Sequence, residues 1–196
     1  MGTIVLILAS ALWGFIHSLT ASLKTKEAVS RTFGPAVMNW FRLSYNMFSV
    51  ISFLPVFILA VILPDRPLYA IPDPWADITT ILRVMAVVAL FSGVIQTDVW
   101  SFLGLRQITG GQSESTMVTS GLYRFVRHPL YSAGLVFIWL TPEMSLNRLV
   151  LYFSLTIYIL IGTYFEERKL IREFGKPYED YQSKTPMLVP AIIRRK

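Results

Sequence analysis

The sequence predicts an all-α integral membrane protein with about five transmembrane helices, the last two of which form a hairpin. Three observations predict this class. The 196 residues are 54% hydrophobic and only 15% charged, long apolar segments lack charged residues, and the basic residues cluster beside some segments only. In soluble domains about a quarter of all residues are usually charged. We expect one multi-pass domain over residues 1–196, with three spans in 1–104 and a cytoplasmic loop, hairpin and tail in 105–196.

The first two spans are Thr3–Leu23 and Leu43–Leu63, which contain no Asp, Glu, Lys or Arg. Each reaches about 32 Å as a helix, enough to cross the hydrocarbon layer. His17, in the first span, is predicted either to act as a ligand or proton carrier or to be a hydrogen-bonded packing residue. The loop from Pro64 to Ala76, rich in proline, is expected to be irregular.

The third span is predicted over Thr79–Leu103 and includes Asp98 near its far end. An ionisable residue at that depth usually faces protein or a water-filled cavity. Asp98 is therefore expected either to line a site and contact substrate or to pair with a loop arginine.

The distribution of basic residues predicts orientation. Fifteen of the 18 lysines and arginines follow the first, third or last span. The positive-inside rule then places the N-terminus outside and the C-terminus in the cytoplasm. We expect a multi-pass protein of the cell membrane with its active site on the cytoplasmic side and no nucleic-acid partner. The chain has no cysteine, which excludes thiolate metal sites, and no metal is expected.

The C-terminal part combines a hairpin with a concentration of polar residues. A polar loop over residues 107–114 precedes Pro129–Leu140, which is too short to span alone, and Leu149–Phe165 returns as a longer span. A hairpin brings its own ends together, so Arg127 and His128 should lie near Glu166 and Glu167. Beyond it, Pro177 is predicted to open a short helix with an aromatic stripe of Phe174, Tyr178 and Tyr181.

These residues carry a resemblance. The stretch GLYRFVRHPLY ending at Tyr131, the later Glu166–Glu167 and the segment FGKPYEDY ending at Tyr181 resemble the isoprenylcysteine carboxyl methyltransferase and phospholipid methyltransferase family. The similarity covers residues 117–190 and is to compact prokaryotic homologues. The stretch from His17 to Ser22 also resembles the membrane family associated with nitric oxide reduction.

The resemblance implies an integral membrane methyltransferase that uses S-adenosyl-L-methionine and releases S-adenosyl-L-homocysteine. Arg127 and Glu167 are then the expected catalytic residues, with Glu167 on the cofactor's ammonium group and Arg127 orienting the acceptor. The implied cofactor-binding residues are Val118, Gly121, Leu122, Tyr123, His128, Tyr131, Glu167 and Tyr178. No GxGxxG fingerprint of a soluble dinucleotide-type site is present.

The expected acceptor is amphiphilic and lipid-like, such as a prenylated small molecule that enters from the membrane lipids and carries a carboxylate. A carboxylate needs no general base, whereas an amine or thiol would need one, and His128 is the well-placed candidate. Two other functions stay open: an NADPH-dependent membrane reductase of the sterol-reductase type, and a non-catalytic membrane subunit in which Arg127 and Glu167 are only an ion pair.

Overall fold

The computed structural model describes residues 1–109 and 116–190, and over these residues the fold is helical with one small sheet. The helices are α1 (Gly2–Ala21), α2 (Leu23–Phe33), α3 (Met38–Ile62), α4 (Trp75–Gln96), α5 (Val99–Leu103), α6 (Leu105–Ile108), α7 (Pro129–Trp139), α8 (Leu146–Phe174) and α9 (Lys176–Lys184). Short 3-10 turns lie at Pro35–Val37 and Gly121–Arg124, and strands β1 (Pro67–Ala70) and β2 (Glu143–Ser145) pair. Most of the predicted polar loop, residues 110–114, lies outside the described residues.

Within residues 1–109 and 116–190, four helices are long and apolar enough to cross a membrane, namely α1, α3, α4 and α8. Their large apolar side chains point outward: Phe15 is 65% exposed, Phe57 52% and Phe91 62%. Such surfaces are stable in contact with lipid, where helices satisfy their own backbone hydrogen bonds. The prediction of a helical multi-pass membrane protein is confirmed at this level, while the orientation across the membrane stays a prediction.

The predicted hairpin corresponds to α7, the short strand β2 and α8. Helix α7 has 11 residues, a length of about 17 Å, so it is the short arm that the sequence indicates. Helix α8 has 29 residues and continues beyond Phe165 as far as Phe174. A fifth span, formed by α7 with its flanking segments, stays a prediction.

The described chain divides into two compact units, the first of which contains residues 1–68, 98–109 and 145–155. Its core is formed by Leu6, Val56 and Leu151. In the same unit, the Tyr45 hydroxyl lies 2.9 Å from Nε2 of His17. His17 is thus hydrogen-bonded between α1 and α3, as its packing interpretation expects.

Asn147, at the start of α8, is fully buried in this first unit. Its side-chain amide donates to the carbonyls of Ala60 and Leu63, at 3.3 and 3.1 Å. The last carbonyls of a helix have no partner within the helix, so Asn147 completes the C-terminal end of α3.

The second unit contains residues 69–97, 116–144 and 156–190. Helices α4 and α7 pack closely in it, because Gly93 presents no side chain to Leu130: a Cβ atom there would lie 2.9 Å from Cδ2 of Leu130. Trp139, at the end of α7, donates from its indole nitrogen to Thr156 of α8 at 2.9 Å. These contacts hold α4, α7 and the later part of α8 around the site.

Two sequence-based boundaries are wrong. The third span ends at Gln96 rather than Leu103, because Asp98 starts a new helix: its carboxylate accepts from the backbone N–H of Ser101 at 3.2 Å, an N-cap arrangement. The segment from Pro64 to Ala76 is also not wholly irregular. It contains strand β1, whose extended backbone is stabilised by pairing with β2.

Candidate functional site

The site begins where the chain enters α7. His128 precedes Pro129 and adopts φ −123° and ψ 67°, because a residue before proline is disfavoured in helical geometry. Six residues before His128, the backbone N–H of Leu122 donates to the side-chain oxygen of Gln96 in α4 at 2.9 Å. These constraints fix the backbone on both sides of Arg127.

Arg127 and Glu167 form a buried ion pair. Nε and Nη2 of Arg127 lie 2.6 and 2.5 Å from Oε1 of Glu167, and the two side chains are only 8% and 11% exposed. The other carboxylate oxygen, Oε2, accepts from the side-chain amide of Gln182 at 2.8 Å. The predicted proximity of the two ends of the hairpin is therefore confirmed.

A C-terminal strap, defined here as residues 185–188, lies along the start of α7. The backbone N–H groups of Arg127 and His128 donate to the carbonyls of Pro186 and Met187, at 2.9 and 3.1 Å. Nη1 of Arg127 donates to the carbonyl of Thr185, and to that of Gln182 just before the strap. The guanidinium of Arg127 thus joins α8 to the tail.

The ring of His128 lies between two carboxylates. Its Nε2 is 3.2 Å from Oε1 of Glu167, and its Nδ1 is 3.8 Å from Oε2 of Glu166. Tyr131 stacks on the ring, with centroids 5.6 Å apart, and donates its hydroxyl to Oε2 of Glu166 at 2.9 Å. The His128 side chain is only 5% exposed whereas that of Glu166 is 42% exposed.

Three tyrosines enclose the ion pair, and all are held in the neutral form. Burial first, and then the charge of Glu167, raise the pKa of Tyr178 to about 12, although nearby Arg127 lowers it. Burial also raises the pKa of Tyr181 to about 12, and burial together with Glu166 raises that of Tyr123. The Tyr181 hydroxyl donates to the carbonyl of Tyr123. At neutral pH these phenols are hydrogen-bond donors rather than bases.

Most polar atoms of this cluster form hydrogen bonds, and the hydroxyl of Tyr178 is an exception. It is buried, and no described residue forms a hydrogen bond of normal geometry with it, although a weak interaction with the guanidinium of Arg127 helps to lower its pKa. Leaving a buried polar atom unpaired costs about 1–3 kcal/mol, and such a cost usually has a reason. A polar group of a bound molecule that formed a hydrogen bond with this hydroxyl would remove that cost.

The structure brings together most of the residues that the sequence singled out. Arg127, His128, Tyr131, Glu167 and Tyr178 form the cluster, and Tyr123 is joined to it through Tyr181. Gly121 and Leu122 lie against Gln96, and Val118 is half-buried in the same unit.

Asp98 has described partners of its own. It belongs to the first unit and pairs with Arg106 at 2.9 Å, and hydrogen bonding from Ser101 helps to lower its pKa. Of the two expectations for Asp98, the structure therefore shows the pairing with a loop arginine.

The sequence did not indicate Gln182, Thr185 or Gln96, which supply hydrogen bonds to the cluster or its backbone. One signal was available for Gln182. It lies four residues after Tyr178, so the two share a face of α9. Within the described part of the chain, no group of three His, Asp or Glu side chains is placed to hold a metal ion.

Fold and site together define a multi-pass helical membrane protein with a buried arginine–glutamate–histidine cluster where a membrane hairpin meets its C-terminal tail. Comparison with known families identifies it further: residues 5–193 match the NnrU protein family, and the chain belongs to that family. The resemblance drawn from the motifs is thereby confirmed.

Individual relatives carry methyltransferase names. The chain is 31% identical over 193 residues to methanethiol S-methyltransferase 1 of Bradyrhizobium diazoefficiens, covering 95% of this chain and 66% of the relative. It is 40% identical over 114 residues to methanethiol S-methyltransferase 2 of that organism, covering 54% and 43%. It is 35% identical over 122 residues to protein-S-isoprenylcysteine O-methyltransferase of Schizosaccharomyces pombe, covering 50% and 51%.

The chain thus spans less than two thirds of the length of each of these relatives. No solved structure matches it significantly.

Proposed function

We propose that this protein is an S-adenosyl-L-methionine-dependent membrane methyltransferase whose acceptor is a small uncharged thiol. The observation that carries the proposal is the buried Arg127–Glu167–His128 cluster in a chain whose relatives include two proteins named methanethiol S-methyltransferase. The active site would face the cytoplasm, as the distribution of basic residues predicts.

The residues present fit the proposed cofactor in two respects. Oε1 of Glu167 is held by Arg127, whereas Oε2 accepts, among the described residues, only from the neutral side-chain amide of Gln182. A cationic ammonium group would replace this amide contact with a stronger, charge-assisted bond. The unpaired hydroxyl of Tyr178 is available to a further polar group. When bound, S-adenosyl-L-methionine would supply an electrophilic methyl group on a positively charged sulfur.

The other predicted residues have supporting roles in this proposal. The rings of Tyr123 and Tyr131 would pack against the cofactor, since aromatic faces attract cationic groups. Backbone groups around Val118, Gly121 and Leu122 would line its remaining side. Methyl transfer is an in-line displacement, so the main contribution of the protein is to fix the two reactants in line and exclude water.

The state of Arg127 favours a neutral acceptor over a carboxylate. Of the five N–H donors of a guanidinium, Arg127 uses two on Glu167 and two on the carbonyls of Gln182 and Thr185. At most one N–H group remains, and the nearby hydroxyl of Tyr178 competes for it. Arg127 therefore cannot form the paired contact by which arginine orients a carboxylate. The expectation that Arg127 orients an acceptor carboxylate is therefore not part of this proposal, in which Arg127 positions Glu167 and the strap.

The two other functions find less support. The three relatives described above are named as methyltransferases rather than reductases. The two carboxylates of the cluster, Glu166 and Glu167, suit a cationic cofactor better than the 2′-phosphate of NADPH. A non-catalytic subunit would account for the ion pair, but it offers no reason for the buried, unpartnered hydroxyl of Tyr178.

The test uses the purified full chain in detergent with methyl-labelled S-adenosyl-L-methionine. Methanethiol and N-acetyl-S-farnesylcysteine are supplied as alternative acceptors, and labelled dimethyl sulfide or methyl ester is measured. We expect dimethyl sulfide, and no methyl ester. Formation of the ester alone would show that the acceptor is wrong, whereas no product combined with no binding of S-adenosyl-L-homocysteine would refute the methyltransferase itself.

A further inference from the structure

A thiol acceptor raises a chemical requirement that the rest of the site does not meet. A thiol is mostly protonated at neutral pH, whereas its thiolate is the nucleophile. Something must accept the proton as sulfur attacks. Glu167 is occupied by Arg127, His128 and Gln182, and the three surrounding tyrosines are held neutral by their raised pKa values.

The hydrogen bonds of His128 determine which of its nitrogens is free. Oε1 of Glu167 also takes the N–H groups of Arg127, so this carboxylate is an acceptor, and Nε2 of His128 at 3.2 Å is the donor to it. A neutral imidazole with its proton on Nε2 has its lone pair on Nδ1. Among the described residues Nδ1 takes part in no hydrogen bond, and the nearest carboxylate oxygen belongs to Glu166 at 3.8 Å.

From this geometry we infer that Nδ1 of His128 is the general base for the thiol and that Glu166 is its positioning partner. The inference rests on the proposed function. The S–H proton moves to Nδ1 as the sulfur lone pair forms the new S–CH₃ bond, and the electrons of the breaking C–S bond stay on the departing sulfur. The imidazolium then passes its proton to Glu166 or to water.

The surroundings of His128 suit that role. The imidazolium would lie between Glu166 and Glu167, so one negative charge faces each ring nitrogen, and the neighbouring cation Arg127 is already neutralised by Glu167. The side chains that face this pair are otherwise uncharged phenols, those of Tyr123, Tyr131 and Tyr178.

Glu166 also provides a route for the proton to leave. Its side chain is 42% exposed while that of His128 is 5% exposed, so it connects the buried ring with solvent. Tyr131 fixes this carboxylate by donating to Oε2 while stacking on the imidazole. The side chains of His128, Tyr131 and Glu166 thus form one unit that links the buried imidazole to solvent.

The experiment compares two acceptors in the wild type, His128→Gln, Glu166→Gln and the matched control Glu173→Gln, an exposed glutamate of the same helix. The acceptors are methanethiol and methaneselenol, which is already ionised at neutral pH. General-base catalysis contributes about 10²–10⁴-fold, so we expect His128→Gln to lower kcat/KM for the thiol by about that factor. Glu166→Gln should lower it by about tenfold, and neither variant should slow the selenol comparably.

Two further readouts do not depend on turnover. Calorimetric titration with S-adenosyl-L-homocysteine checks that each variant still folds and binds the cofactor product. The chain has only two histidines, His17 and His128, so ¹⁵N-histidine NMR of the wild type with this product reports the His128 tautomer, assigned by the signals lost in His128→Gln. We expect the proton on Nε2 and an unprotonated Nδ1.

Three results would overturn the inference. The first is an NMR spectrum that places the proton on Nδ1 of His128. The second is that Glu166→Gln lowers kcat/KM equally for methanethiol and methaneselenol, and the third is that it does not lower kcat/KM for methanethiol at all. If the wild type methylates neither acceptor and does not bind S-adenosyl-L-homocysteine, the proposed function itself fails, and this outcome is distinct from those three.

Discussion

Removing the guanidinium of Arg127 should destabilise the second unit strongly. In Arg127→Met the carboxylate of Glu167, which is 11% exposed, loses its positively charged partner but keeps its hydrogen bonds with Gln182 and His128. The backbone carbonyl of Thr185 also loses a hydrogen-bond donor. Breaking a buried ion pair in this way costs about 3–5 kcal/mol. We expect a decrease of this size in the free energy of unfolding, measured by denaturant titration in detergent micelles with tryptophan fluorescence.

The strap gives the same variant a local readout. Loss of Arg127 should free residues 185–188 from the start of α7, so limited trypsin digestion should cut at the exposed Lys184 faster than in the wild type. Arg124→Ala is the matched control: this arginine is exposed and stacks on Phe125. Its replacement should change the free energy of unfolding by about 1 kcal/mol or less.

A double-mutant cycle completes this test. Glu167→Gln alone leaves the guanidinium buried without a counter-ion, whereas Arg127→Met combined with Glu167→Gln removes both charges. The double variant should be less destabilised than the sum of the single ones by about 2–3 kcal/mol. Additive effects, or an Arg127→Met protein as stable as Arg124→Ala, would refute the assignment of Arg127 as the residue that joins α8 to the tail.

Three further substitutions test separate features. Tyr178→Phe removes an unpartnered hydroxyl, so we expect unchanged or slightly higher thermal stability but about 2–12-fold weaker calorimetric binding of S-adenosyl-L-homocysteine; unchanged affinity would disprove its role. Asn147→Ala removes two hydrogen bonds to the end of α3 and should lower the free energy of unfolding by about 1–3 kcal/mol. Gly104→Ala should lower protein yield and thermal stability, because φ is +91° and the new Cβ would lie 2.5 Å from the backbone nitrogen of Leu43. Gly134→Ala, whose Cβ meets nothing within 4 Å, is its tolerated counterpart, and equal stability of the two would contradict that explanation.

The membrane-spanning class and the location of the cluster could be predicted from the sequence. An apolar segment of 21 residues without charged side chains is rarely anything other than a membrane-spanning helix. The two helices of a hairpin necessarily bring its first and last residues close together. The contact between Arg127 and Glu167, 40 residues apart in sequence, follows from that topology.

The end of the third span could not be placed by apolar composition alone. Residues 99–103 are apolar except for Ser101 and extend the hydrophobic pattern. The carboxylate of Asp98 nevertheless accepts a hydrogen bond from the backbone N–H of Ser101 and begins a new helix. Strand β1 was missed for a similar reason. Its extended backbone depends on pairing with β2, a partner some 75 residues away that local composition does not reveal.

The hydrogen-bond partners of Arg127 in the tail were also beyond the sequence. Its motif indicated a side chain available to an acceptor, whereas the structure shows four of its N–H groups already used. Two of the acceptors are backbone carbonyls of Gln182 and Thr185, and such contacts depend on the path of the tail rather than on residue type.

The central claim is that this cluster binds S-adenosyl-L-methionine, and calorimetric titration of the purified wild type with S-adenosyl-L-homocysteine and, separately, with NADPH tests it most directly. The account predicts saturable binding of S-adenosyl-L-homocysteine alone, weakened in Tyr178→Phe and retained in Arg124→Ala. Binding of NADPH alone, or of neither compound by a folded protein, would contradict it.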